Sequence, residues 1–169
     1  MVFSLMLLGI MSCSSQNYLT TSETENLLQG KEFTFMAKKA IPTSNDVVNV
    51  LSGMRGNTAT RILDLDYGYT VVITKDKLES TLPYFGRTYT PSMDPDKQSY
   101  RFTSKDFTIS QSNGKKNVQI ITIQPRDVSH IRPMSMEVFP NGKAYLTIDA
   151  NDRQLISYDG YLMKNSAEN

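Results

Sequence analysis

The chain has 169 residues, with 18 Lys and Arg against 17 Asp and Glu and a formal net charge of +1. That balance argues against nucleic acid as a partner, since phosphate binding needs a basic surplus on one face; the pairs Lys38-Lys39 and Lys115-Lys116 read as solvated strand ends. A single cysteine and a single histidine exclude a disulfide framework and a zinc cluster, and this length is enough for one domain to bury a core without either.

The N-terminus carries the strongest signal. Val2 to Met11 is an apolar run broken only by Ser4 and Gly9. As a helix it would rise about 15 Å, half of the ~30 Å hydrocarbon core, so it is too short to span. It fits the apolar region of a secretory signal. Ile10, Met11 and Ser12 then lead into Cys13, and an aliphatic residue three before a cysteine with a small one just before it resembles a lipobox. The reading makes residues 1–12 a lipoprotein signal peptide, Cys13 the acylated new N-terminus, 13–21 a tether and 22–165 one β-rich domain. Nothing before Cys13 is basic, which places the true start upstream of Met1 or marks the signal as weak. No acidic residue follows Cys13 closely, which directs the protein toward the outer membrane, facing the periplasm. The alternative is an unprocessed protein with a buried hydrophobic N-terminal strand.

Ser22 and Glu25 have capping-box spacing and Gly30 is a stop signal, predicting a helix over about 22–29 with Leu27 and Leu28 on its buried side. Phe33–Ala37 reads as a strand ended by Pro42. Asp46–Leu51 suits a strand or a helical turn within an irregular excursion over 43–61. Ile62–Thr74 predicts two extended pieces broken around Asp66–Gly68. Asp76 is expected to cap a turn or two of helix, with Leu78 and Leu82 stacked and Pro83 ending it.

The second half can be argued by register. Asn113-Gly114 predicts a two-residue type I′ hairpin with Ile109 opposite Val118 and Phe107 opposite Ile120. Around Pro140-Asn141-Gly142 a two-residue loop would mix the faces. A three-residue bulged loop instead sets Val138 against Ala144, Met136 against Leu146 and Met134 against Ile148. A further three-residue loop at Asn151-Asp152-Arg153 sets Ile148 against Ile156 and Leu146 against Tyr158. The expected fold is α+β: a mainly antiparallel curved β-sheet, a meander over about 100–163, with one or two short helices covering one face.

Leu82-Pro83-Tyr84-Phe85-Gly86-Arg87, Phe102, Gly142-Lys143-Ala144, Arg153, Ile156-Ser157-Tyr158 and Gly160 resemble the signature of a family of Bacteroidetes-type lipoproteins carrying a domain of unknown function. Phe35, Ala37, Ala40 and Pro42 fit its opening, so the resemblance spans about 30–163. It implies an address and a fold, and no activity.

No catalytic constellation stands out. His130 lies between strands beside Asp127 and Arg132 and reads as a surface histidine, and no Gly-x-Ser-x-Gly elbow occurs. Asp64-x-Asp66, Asp94-Pro-Asp96 and Asp149-x-Asn151-Asp152 begin like calcium loops and break the pattern within a few residues, so turn chemistry explains them and no metal or other cofactor is expected. The densest unusual patch is Tyr84-Phe85-Gly86-Arg87-Thr88-Tyr89. Tyr84, Phe85, Arg87 and Tyr89 are candidate binding residues, because Tyr and Arg dominate recognition hot spots. The competing reading has Tyr84 and Phe85 plugging the end of the sheet, Gly86 supplying a special backbone angle, and Arg87 paired with Asp94 or Asp96. The expected function is a lipid-anchored, non-catalytic binding or envelope-structural module. Its partners are membrane lipid through Cys13 and an envelope protein or small ligand. The alternatives are a hydrolase-like envelope enzyme with a site assembled from distant residues, and an inhibitor-like protein presenting its aromatic loop.

Overall fold

A computed structural model describes residues 18–53, 58–89 and 99–166. Cys13, Asp94 and Asp96 lie outside them. Three short helices, α1 (Thr21–Gly30), α2 (Asn45–Gly53) and α3 (Thr58–Leu63), accompany nine strands. These are β1 (Phe33–Pro42), β2 (Thr70–Ile73), β3 (Leu78–Pro83), β4 (Ser99–Ser104), β5 (Phe107–Asn113), β6 (Gln119–Pro125), β7 (Met134–Val138), β8 (Lys143–Ile148) and β9 (Ile156–Met163).

All nine belong to one antiparallel sheet in the order β4-β3-β2-β1-β9-β8-β7-β6-β5. The first and last strands of the chain pair in the middle of this order, and the outermost two, β4 and β5, are consecutive in sequence. Because every neighbour in the row is antiparallel, β4 and β5 run in the same sense. They are two halves of one bent strand, the first paired with β3 and the second with β6. The bend at Lys105-Asp106 is held by Asp127, whose carboxylate accepts the Ser104 hydroxyl and the Lys105 and Asp106 amides, the last two at 2.9 and 3.3 Å. The curved sheet thereby nearly closes on itself.

The inward face is the core. Phe33, Phe35, Ile73, Leu78, Ile123, Met136, Leu146 and Tyr158 are all fully buried. Of the described glycines, Gly160 has the least room around it. The Phe35 ring packs over it, and a Cβ there would lie 2.1 Å from the Met36 carbonyl oxygen. A bulge between Ala37 and Lys39 adds one residue to β1 at this level. The bulge lets the returning chain bond: Leu65 N–H donates to the Lys38 carbonyl at 2.8 Å.

The bulged β7–β8 loop stands as expected. Val138 faces Ala144, Met136 faces Leu146, and Gly142 takes the left-handed angle (φ +78°) that such a loop requires. Ile148 faces Ile156 and Leu146 faces Tyr158, also as expected, although the connection between β8 and β9 is longer than three residues.

Other expectations are corrected. Residues 78–83 are strand β3 rather than helix, with Leu78, Ser80 and Leu82 inward. The β5–β6 connection is not a two-residue turn: Asn113 pairs with Gln119, Ile109 with Ile123 and Phe107 with Pro125. The left-handed residues are Lys116 and Asn117, so the tight turn lies further along than Asn113-Gly114. The stretch ending at Leu63 is helix α3, not an extended piece, and the meander begins at β5, because β4 pairs with β3. The capping box of α1 is Thr20 with Glu23, not Ser22 with Glu25, and the left-handed cap is Lys31 rather than Gly30. Thr24 and Leu28 are the buried residues of α1, and Thr24 donates to the Pro140 carbonyl at 3.3 Å. The helix thus sits at the end of the barrel beside the β7–β8 hairpin.

Candidate functional site

Three places on the molecule gather side chains whose chemistry needs explaining: the segment after β3, a cleft on the outer wall, and an aromatic flank.

The segment after β3 contains the four candidate binding residues. Tyr84 folds back over residue 86, and the single proton of its hydroxyl is shared between the Arg87 and Gln154 carbonyls, 2.9 and 3.0 Å away. The ring fills the space above Gly86, where a Cβ would lie 2.3 Å from the Tyr84 hydroxyl. The glycine is needed for that contact and not for a special backbone angle, since its φ is not positive. Phe85 packs half-buried against the core, Arg87 is exposed, and Tyr89 is 64 % exposed. The segment runs along the β8–β9 connection: Thr88 bridges Arg153, and Tyr89 N–H donates to the Asp152 carbonyl at 2.7 Å.

Beneath this segment lies Arg153, a residue of the family signature and of the β8–β9 connection that was not among the candidate binding residues. Arg153 is only 2 % exposed. Its guanidinium holds the Asp152 carboxylate through two bonds of 3.0 and 2.8 Å and donates to the Ser99 carbonyl at 3.1 Å. It also lies 5.1 and 5.0 Å from the ring centres of Tyr84 and Tyr100, which meet edge to face. The bond from Arg153 holds the Asp152 carboxyl below its ordinary range. Burial raises the Tyr100 and Tyr158 hydroxyls, so both stay protonated at neutral pH. A neutral phenol and a permanently charged guanidinium offer no proton exchange near neutrality; the cluster ties β3, β4 and the β8–β9 connection together.

The two buried tyrosines differ in a measurable way. Tyr158 donates to the Pro83 carbonyl at 2.6 Å, whereas the Tyr100 hydroxyl has no partner among the described residues. Tyr158→Phe should therefore lower stability by about 1 kcal/mol, read as a melting shift of about 3 °C. Tyr100→Phe should leave the melting point unchanged or raise it.

The cleft, of about 700 Å³, opens on the outer face of β1 and β2. Thr34, Met36, Thr70 and Val72 line it from the strands, with Tyr67, Met163 and Asn165 around them. Asn165 is held in place: it accepts from Thr34 and donates to the Ile73 carbonyl, both at 2.8 Å. Glu32 and Asp76 offset Lys75 and Lys77 at the rim, so the cleft has no net field to select an anion.

The flank is built from β8, β9 and the chain preceding α1. Tyr18 stacks on Tyr161 with centroids 4.2 Å apart and planes 4° from parallel. Lys38 lies 5.9 Å from the Tyr18 ring centre, Lys143 lies 5.1 Å from that of Tyr145, and Phe139 meets Tyr145 edge-on.

His130 is exposed on the β6–β7 connection. Of the two charged residues near it in sequence, Asp127 holds the β4–β5 bend and Arg132 pairs with Asp149 at 3.3 Å. Of the calcium-like clusters, Asp64 pairs with Lys39 at 3.6 Å, Asp149 with Arg132, and Asp152 with Arg153. Among the described residues no group of three or more His, Cys, Asp and Glu side chains is placed to hold a metal ion.

The class defined so far is a nearly closed antiparallel β-barrel with a short helix at one end and an arginine–tyrosine clamp. Residues 15–162 match the family described as Domain of unknown function (DUF4251), and the chain belongs to it. A DUF4251 family protein from Bacteroides eggerthii DSM 20697 has a similar crystal structure, with a TM-score of 0.51 over 85 % of this chain and 87 % of that one, at 10 % identity. No curated protein matches.

Proposed function

We propose that this protein is a lipid-anchored, non-catalytic module of the cell envelope, held by acylated Cys13 at the outer membrane and facing the periplasm. The observation that carries the reading is the apolar run of Val2–Met11 closing on Ile10-Met11-Ser12-Cys13, with the chain's only thiol at its end. Further support comes from how soon the chain meets the barrel: Tyr18, five residues after Cys13, already stacks on β9. No helix among the described residues is long and apolar enough to cross a membrane.

The binding role falls to two surfaces. The cleft over β1 and β2 suits a small ligand of mixed polarity, held between the Met36 and Val72 side chains and the fixed Asn165 amide. Tyr89 with Arg87 is the part of the aromatic segment that a protein partner can reach, with Tyr84 and Phe85 supporting it from below.

Cys13→Ser tests the anchor. Expressed in its native host, the variant should move from the membrane fraction to the soluble fraction and lose incorporation of labelled fatty acid, with its fold unchanged. A variant that stays in the membrane fraction after a high-salt wash would contradict the proposal.

A further inference from the structure

The proposed anchor says that the chain is tied to a bilayer; it does not say which side of the barrel meets it. We propose that the flank carrying Tyr18, Tyr161, Tyr145 and Phe139 lies against the lipid headgroup layer. This inference rests on the reading of Cys13 as acylated.

Reach decides the geometry. Four residues separate Cys13 from Tyr18, and the five steps between the two cover at most about 18 Å when fully extended. Strand β9 alone has eight residues, which span about 26 Å. The leash is shorter than the wall it is fixed to, so the barrel cannot turn freely above the membrane. The point of fixation is also firm. Besides the Tyr18–Tyr161 stack, the Tyr18 and Leu19 amides both donate to the Asn141 carbonyl, at 3.1 and 3.2 Å. The chain therefore leaves the barrel at this flank, beside the β7–β8 hairpin.

The chemistry of the flank matches the place that reach assigns to it. Tyrosine rings have an apolar body and a polar tip and concentrate at membrane–water interfaces. Lys38 and Lys143 lie beside tyrosine rings, where long stems can follow apolar surface while the ammonium groups stay at headgroup level. The charge on the same face is nearly balanced, since Lys143 pairs with Asp159 at 3.4 Å and Glu137 lies opposite Tyr145. Contact is therefore made by the rings and the short leash, not by attraction to anionic lipid. A bilayer surface is favoured over a protein partner because the leash brings the bilayer to this face at high effective concentration.

The absence of tryptophan from the chain makes a clean test available. The acylated protein, extracted as it exists in its host, is reconstituted into phosphatidylethanolamine–phosphatidylglycerol vesicles containing phosphatidylcholine spin-labelled near the headgroup. Tyr145→Trp reports from the flank, and Tyr89→Trp reports from the segment beside Arg153 at the other end of the barrel. Quenching at position 145 should be at least twofold that at position 89, and replacing phosphatidylglycerol with neutral lipid should leave the ratio unchanged. Glu137→Trp, exposed and opposite Tyr145, serves as a second reporter should the first variant misfold. Equal quenching at the two ends, or stronger quenching at position 89, in protein that co-sediments with the vesicles overturns the orientation while leaving the anchor intact. Protein that carries no acyl group and does not co-sediment overturns both.

Discussion

Gly160→Ala should destabilise the protein by about 3 kcal/mol, lowering its melting temperature by about 10 °C. The added methyl would meet the Met36 carbonyl oxygen at 2.1 Å and the Phe35 ring at 2.8 Å. Neither can yield cheaply. The carbonyl belongs to β1 next to its bulge, and the Phe35 ring is fully buried inside the barrel. Gly30→Ala is the matched control. Nothing lies within 4 Å of a Cβ there, its φ is not positive, and it is the last residue of α1. That substitution should stabilise by about 0.5–1 kcal/mol through the unfolded chain's lost freedom. Calorimetric melting of the two variants should therefore move in opposite directions. Two small changes of the same sign would show that the strand-to-strand packing at Gly160 is looser than described.

Arg153→Met should cost about 3 kcal/mol, toward the low end for breaking a buried ion pair, because Asp152 is at the rim and can recover some hydration. The volume is roughly kept, so the loss reports on the bonds to Asp152 and Ser99 and on the contact with the two rings. Arg153→Lys should lie between, since an ammonium keeps the charge but cannot hold a carboxylate at two points and a carbonyl at a third. The effect of acid separates the charge from the packing. The bond from Arg153 depresses the Asp152 carboxyl, so the native state gains stability above the unfolded carboxyl's pKa and loses it as the pH falls through the folded one. Wild type should therefore lose this increment below about pH 4, and Arg153→Met should be less steep over the same range. Parallel pH profiles for the two proteins would show that the ion pair contributes nothing beyond packing.

The register of β7, β8 and β9 was legible because both arms of each hairpin alternate cleanly. With Met134, Met136 and Val138 on one side and Ala144, Leu146 and Ile148 on the other, one loop length aligns the faces. Residues 78–83 misled for a physical reason. Leu78 and Leu82 are four apart, a spacing that fits one turn of helix and two steps of strand equally well. The residue that would have decided it, Ser80, is polar yet inward, its hydroxyl donating to the Tyr100 carbonyl at 2.8 Å. The β5–β6 register slipped because Ile120 and Ile121 are adjacent, leaving the parity of β6 open, and because β5 is the largely exposed half of a bent strand. A strand that changes partners midway leaves no local signature, so the near closure of the sheet was not readable.

The site was legible in part. The aromatic segment was visible as a composition anomaly, and the reading in which Tyr84 and Phe85 support the end of the sheet describes where their side chains lie. Arg153 was not, because an Asp-Arg pair in a turn-rich connection looks solvated. Only the convergence of Tyr84 and Tyr100, which are distant from it in sequence, makes it interior. The pairing of Tyr18 with Tyr161 joins the two ends of the chain, and no periodicity links them.

The membrane anchor and the orientation of the barrel on the bilayer both depend on a covalent lipid at Cys13. The decisive measurement is the intact mass and N-terminal peptide of the protein extracted from host membranes. The expected species begins at Cys13 and carries fatty-acyl groups on that residue. A chain retaining the residues before Cys13, with an unmodified thiol, would contradict it.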